Sequence, residues 1–93
     1  MNYKQIYIDY YGYYNGETIL CEVCGAVAVD IHHIKYKSRG GRNEISNLIA
    51  LCRPCHIKAH NEELKEIELK EIHKITLTGK ELQWNQKHNL KKT

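Results

Sequence analysis

The sequence predicts a small α+β domain in which helical segments flank a short β-hairpin and four cysteines tie the parts together. Three observations carry this. Residues 26–34 and 47–51 are apolar and β-branched enough to form two strand arms. The segments on either side space their apolar residues at helical intervals. Two Cys-x2-Cys pairs, Cys21/Cys24 and Cys52/Cys55, stand 27 residues apart, one just before the first arm and one just after the second. A chain of 93 residues buries a smaller fraction of its surface than a larger domain, so an added staple is expected. The expected organisation is one domain over residues 1–78, with its motif core at 21–60, followed by a polar tail at 79–93.

In chain order, Tyr3, Ile6, Tyr7, Tyr10 and Tyr14 recur on one helical face, a packing face with hydroxyls reaching solvent, and Gly12 argues that the helix stops early. Asn15-Gly16 reads as a turn. Cys24-Gly25 supplies a tight knuckle that lets two thiols converge. The first arm delivers Asp30-Ile31-His32-His33, and strand alternation sends the two histidines to opposite faces unless a bulge intervenes. Residues 38–43, Ser-Arg-Gly-Gly-Arg-Asn, read as a flexible basic loop. Pro54 suits the first turn of a helix, because its missing N–H has no intrahelical partner there. That helix places His56 and His60 four residues apart on one face. Asn61-Glu62-Glu63 reads as the start of another helix reaching about Thr76, with Leu64, Ile67, Ile72 and Ile75 as its apolar stripe and Thr78-Gly79 as its end. Trp84 is expected to dock on the domain ahead of a mobile end.

Four thiols in this spacing are soft ligands suited to tetrahedral Zn2+, and a fully ligated ion has no open position, so Cys21, Cys24, Cys52 and Cys55 form a structural site whose binding energy is folding energy. Paired disulfides or a redox-active dithiol are the alternatives. The opening residues lack the apolar core of a secretion signal, and no run approaches the ~18 apolar residues that span a bilayer. A cytoplasmic protein with no membrane association is therefore expected.

The imidazoles are surplus to that site. His32, His56 and His60 can make a three-histidine site for a second divalent cation with free positions, and Mg2+, Mn2+, Zn2+, Ni2+ and Co2+ are the candidates. His33 is the choice for a general base acting on water, since a neutral imidazole titrates near working pH. Asp30 is expected to accept the second N–H of the His32 ring and fix its tautomer. The formal charge is only +3, but residues 31–60 hold Lys35, Lys37, Arg39, Arg42, Arg53 and Lys58 against Glu44 alone. A polyanion suits that segment, with a solvated basic surface as the plain alternative. Residues 62–74, with five Glu and three Lys, look like an unsuitable face for phosphates.

The stretch CEVCGAVAVDIHHIKYKSRGGRNEISNLIALCRPCHIKAH resembles the HNH endonucleases, the ββα-metal (His-Me finger) family, in the version with a four-cysteine zinc knuckle. The resemblance places the three signature residues on His33, Asn47 and His56. It implies that His33 activates water, Asn47 holds the loop between hairpin and helix, and His56 binds the catalytic metal, with His32 as a further ligand. His60 and Asp30 are similar to residues of the colicin nuclease branch, a third ligand and an acid bracing the first. Asn43 competes for the Asn47 role, but Asn47 fits the family spacing better. The family implies cleavage of double-stranded DNA to 5′-phosphate and 3′-hydroxyl ends, with Lys35, Lys37, Arg39, Arg42 and Lys58 on the phosphate backbone. The surrounding pattern resembles small phage and prophage HNH proteins, some associated with terminase, so a terminase or other guiding protein, a monomer or a dimer, and a bacterial or phage-infected cell are all expectations. A non-catalytic zinc-stabilised nucleic-acid-binding module, a purely structural zinc domain and an RNA-cleaving enzyme are the alternatives.

Overall fold

A computed structural model describes residues 2–13 and 16–88, with side chains as far as Gly79. It holds α1 (Tyr3–Tyr11), β1 (Asp30–His33), β2 (Leu48–Leu51), α2 (Arg53–His60) and α3 (Glu66–His88), with 3-10 turns at Lys37–Arg39 and Ile45–Asn47. This is the small α+β arrangement expected of a ββα-metal fold.

The two strands pair antiparallel in plain register, Asp30 opposite Leu51, Ile31 opposite Ala50, His32 opposite Ile49 and His33 opposite Leu48. No bulge separates the histidines. Alternation alone therefore divides them, and it also divides the core. Ile49 and Leu51 point into a cluster with Ile34, Cys21, Cys52, Cys55, Ala59 and Leu69, under α2 and α3. Leu48 and Ala50 point the other way, onto Ile31 and Tyr7 beneath α1. All four β2 residues are fully buried, which explains their unbroken apolar run.

Helix α1 starts at Asn2, whose side chain accepts the Lys4 N–H at 2.8 Å, and stops at Gly12, which takes a left-handed φ of 74°. Tyr3, Ile6, Tyr7 and Tyr11 pack on the hairpin, but the Tyr7 hydroxyl does not reach solvent: it donates to Glu22 Oε2 at 2.7 Å. Tyr14 and Asn15 lie outside the described residues. The first arm is shorter than its composition suggests, because residues 26–29 serve the cysteine knuckle, bridging Leu20 to Val27, rather than extending β1.

The third helix departs further from expectation. Asn61 closes α2 instead of opening α3, and Glu62 adopts φ 62°, so the chain turns before a new helix can begin. Helix α3 starts at Glu66, where the Glu68 carboxylate reaches back to the Lys65 N–H at 3.1 Å and satisfies one of the unpaired donors of the first turn. It then runs through Gly79 to His88. A single glycine costs a helix about 1 kcal/mol, too little to end one that its neighbours favour. The Trp84 side chain lies outside the described residues.

Beneath α3 is a buried polar tie. His73 donates from Nε2 to the Ile45 carbonyl at 2.6 Å, and its Nδ1 lies 2.7 Å from Glu22 Oε1. The other carboxylate oxygen takes the Tyr7 hydroxyl and the Ala50 N–H. Glu22 sits inside the first Cys-x2-Cys pair, so this network joins α1, β2, α3 and the knuckle at one point.

Candidate metal centre and catalytic cleft

Cys21 and Cys24 flank the knuckle turn, where the Gly25 N–H bonds the Cys21 carbonyl, and Cys52 and Cys55 lie at the N-terminus of α2. Their four sulfurs all lie within 4.8 Å of one another. Ligands at the usual ~2.3 Å from zinc sit ~3.8 Å apart around a tetrahedron, so the cluster fits that ion. All four cysteines are free, and the thiols converge as one group rather than as two bonded pairs. Burial raises the Cys21 thiol, but the backbone N–H groups of Cys52, Cys24 and Val23 outweigh it and bring the pKa down to about 7. Burial and the neighbouring thiols push Cys55 up.

The second cluster lies on the α2 face of the hairpin. One ring nitrogen from each of His32, His56 and His60 falls within the same 4.8 Å limit. His56 and His60 stand one helical turn apart, and their Nε2 atoms approach to 3.0 Å. The other nitrogen of each ring is engaged: His56 Nδ1 donates to Asp30 Oδ2 at 2.8 Å, and His60 Nδ1 meets the Tyr36 hydroxyl at 3.3 Å. Donation from Nδ1 to the Asp30 carboxylate leaves the His56 Nε2 lone pair free, and two ring nitrogens turned toward each other at 3.0 Å suit a shared cation. The residues present therefore fit a divalent metal. Burial lowers the His32 pKa to about 4, aided by His56, His60 and His33 and partly opposed by Asp30, so this imidazole is a neutral donor over the physiological range.

Asp30 does not brace His32 as expected; it braces His56. Residues two apart on a strand share a face but stand too far apart along it for their short side chains to meet, whereas α2 crosses directly over Asp30. Arg53 adds a 3.8 Å ion pair to the same carboxylate.

His33 points toward α1. The Tyr3 ring packs on it with centroids 4.5 Å apart, and its Nε2 lies 2.8 Å from Asn43 Oδ1. A carbonyl oxygen only accepts, so Nε2 carries the hydrogen and Nδ1 keeps its lone pair. Asn47 holds the loop as its amide suggested: Oδ1 accepts the Lys35 N–H at 2.7 Å, and Nδ2 donates to the Lys35 and Arg42 carbonyls, each at 3.1 Å. The loop is consequently built rather than loose, and a side chain on Gly41 would overlap the Lys35 carbonyl. His32, His33, His56, His60, Asp30 and Lys37 line one open cleft of about 290 Å3.

A family model described as HNH endonuclease matches residues 21–62, the interval that holds both clusters. The chain belongs to the HNH endonuclease family. Among similar proteins, the mitochondrial DNA mismatch repair protein mutS homolog of Sarcophyton glaucum is 37% identical over 59 residues, covering 55% of this chain and 6% of that protein. The protein named anaredoxin of Nostoc sp. (strain PCC 7120) is 42% identical over 53 residues, covering 55% of this chain and 70% of that one. This chain thus spans only a small part of the first relative and most of the second. No solved structure matches it.

Within this HNH domain the remaining basic residues are dispersed. Arg39 turns to Glu66 of α3 at 2.6 Å and leaves the cleft. Lys35 and Arg42 line a separate groove against α3, and Lys58 is exposed on α2. Tyr3, Tyr36 and Asn43 are contacts that sequence reasoning missed. Asn43 was visible as a second asparagine in the loop, whereas no sequence interval pairs Tyr3 with His33.

Proposed function

We propose that this protein is a metal-dependent endonuclease that hydrolyses DNA phosphodiesters, with His33 as general base. The observation that carries the reading is the imidazole arrangement: His33 has its Nδ1 lone pair free in the same cleft as three histidines able to hold a cation. HNH family membership supports a nuclease-type function and a nucleic-acid substrate.

In this reading His33 Nδ1 takes the proton of an attacking water while Nε2–H stays on Asn43 and the Tyr3 ring restricts rotation. Asn47 fixes the loop that follows His33 and so its reach. Asp30 keeps His56 in the tautomer that presents Nε2, and Tyr36 holds the His60 ring through its Nδ1. His32, His56 and His60 would hold a divalent cation, which when bound would supply Lewis-acid stabilisation of the negative charge gained at phosphorus and at the leaving 3′ oxygen. Lys37, on the rim of the cleft, is placed to meet a neighbouring phosphate. The products are 5′-phosphate and 3′-hydroxyl ends.

The domain acts in a reducing compartment such as the cytoplasm, where four free thiols persist. A domain this small has little surface for reading a long site, which is why the proposal includes a guiding protein of the terminase class or a second copy of the chain.

Plasmid cleavage by wild type and His33→Ala, after removal and defined re-addition of Mg2+, Mn2+, Zn2+, Ni2+ or Co2+, tests the reading. Loss of the base should slow cleavage by about 10²- to 10⁴-fold with DNA binding retained. Undiminished cleavage by purified His33→Ala removes His33 from the mechanism. A wild type that binds DNA but cleaves with none of these metals is instead a zinc-stabilised binding module.

A further inference from the structure

The groove between the 40–47 loop and α3 is not part of the catalytic cleft, and the family match ends before α3 begins. It encloses about 450 Å3 and is walled by Lys35 and Arg42 from the loop side and by Lys70 and Lys74 from α3, with Ser46, Asn47 and His73 on its floor. Glu44 is the one carboxylate along it. Four cations against one acid give the groove a net charge of +3, equal to the formal charge of the entire chain. The Arg42–Glu44 pair that offsets part of it is 3.7 Å long and exposed, so it is weak and screened.

We propose that this groove is a second phosphate-binding track, which carries the backbone of duplex DNA away from the cleft and along α3. The proposal rests on the nuclease reading for its ligand and adds a site to it. Lys70, Lys74 and Leu77 stand at i, i+4 and i+7, so one helix stripe faces the loop. Four residues of helical rise separate the Lys70 and Lys74 backbone positions by roughly 6 Å along the axis, a distance comparable to the step between neighbouring phosphates of one strand. Among the described residues, Lys35, Lys70 and Lys74 form no ion pair within 4 Å. The Glu-rich composition of this segment had argued against such a face, but folding sorts the charges. Glu66 is drawn to Arg39 and Glu68 to the Lys65 N–H, both away from the groove.

The groove is also fixed relative to the base. Asn47 binds the backbone of Lys35 and of Arg42, and Lys35 lies two residues after His33. His73 contributes no free polar atom, since both nitrogens are taken by Glu22 and Ile45. Phosphates seated on the four cations therefore set the register of the strand over the cleft without reading its sequence.

The test uses fluorescence anisotropy with a labelled DNA duplex at several salt concentrations, all proteins zinc-loaded and carrying His33→Ala to stop turnover. Lys70→Gln/Lys74→Gln should weaken binding on the order of tenfold and reduce the slope of log affinity against log salt by about 2, whereas Lys4→Gln/Lys65→Gln, which removes the same charge outside the groove, should leave the slope near that of the parent. Equal losses in the two pairs overturn the groove while leaving the nuclease reading intact. A parent protein with no salt-dependent duplex binding overturns both.

Discussion

Replacing His73 tests the buried tie on which the fold around the cleft depends. The His73 and Glu22 side chains are 1% and 3% exposed, and Nδ1 to Oε1 is 2.7 Å. Removing the imidazole leaves a carboxylate in the core with only Tyr7 and Ala50 as donors, and leaves the Ile45 carbonyl without its partner at 2.6 Å. Breaking one side of a buried, hydrogen-bonded pair costs about 3–5 kcal/mol, a large share of the roughly 5–15 kcal/mol that holds a domain together. Packing loss and loss of the hydrogen bonds are separated by His73→Leu. Leucine restores most of the lost volume but no donor, so a polar tie predicts that it fails nearly as badly as alanine. With a urea slope of about 1–3 kcal/mol per molar, the unfolding midpoint should fall by at least about 1 M in zinc-saturated buffer. A His73→Leu protein within about 1 kcal/mol of wild type refutes the reasoning. The effect should reach the site, because Ile45 opens the 3-10 turn that ends at Asn47.

Two further outcomes follow from the cleft. Asp30→Asn removes the charge that steadies His56, and calorimetric titration of the second metal should show roughly 10- to 100-fold weaker binding, with the four-cysteine site unaffected. His32, with its pKa lowered to about 4 against 6.5 unfolded, is neutral in the fold while the unfolded chain takes up a proton. Its contribution to stability is therefore complete above pH 6.5 and declines as pH falls toward 4, and in imidazole NMR its signals should stay fixed between pH 7 and 5.

The parts of the molecule legible in the sequence are those whose partners lie at fixed local intervals. The two Cys-x2-Cys pairs, the i, i+4 spacing of His56 and His60 and the alternation of His32 and His33 each follow from the geometry of one turn, one helix or one strand. Asn47 was readable because an amide in a short irregular segment has few uses besides satisfying its backbone. Contacts between distant elements were not readable. That Asp30 serves His56 depends on where α2 crosses the hairpin, and that His73 meets Glu22 depends on α3 packing 51 residues away in sequence. Asn61 and two glutamates suit a helix N-terminus, but Glu62 turns left-handed and the Glu63 and Leu64 N–H groups fold back onto the Lys58 carbonyl, a closure of α2 that no sequence interval marks.

The separation between the four-cysteine cluster and the three-histidine cluster is chemical rather than mechanical. Cys55 and His56 are adjacent on α2, so the helix that presents its thiol to the first cluster presents its imidazole to the second. Cys52 and Cys55 fix the start of that helix against the Cys21 knuckle, and Ala59 packs it into the core between His56 and His60. The relation of His56 and His60 to His32 on the hairpin is thereby inherited from the four-cysteine cluster. Stripping a metal from the thiols should therefore dismantle the three-histidine arrangement even though no imidazole has changed. Under the proposed nuclease function, a strong chelator would therefore abolish cleavage by two routes and identify neither. Only substitutions that spare the cysteines, at Asp30 or at the histidines themselves, assign a metal to the chemistry.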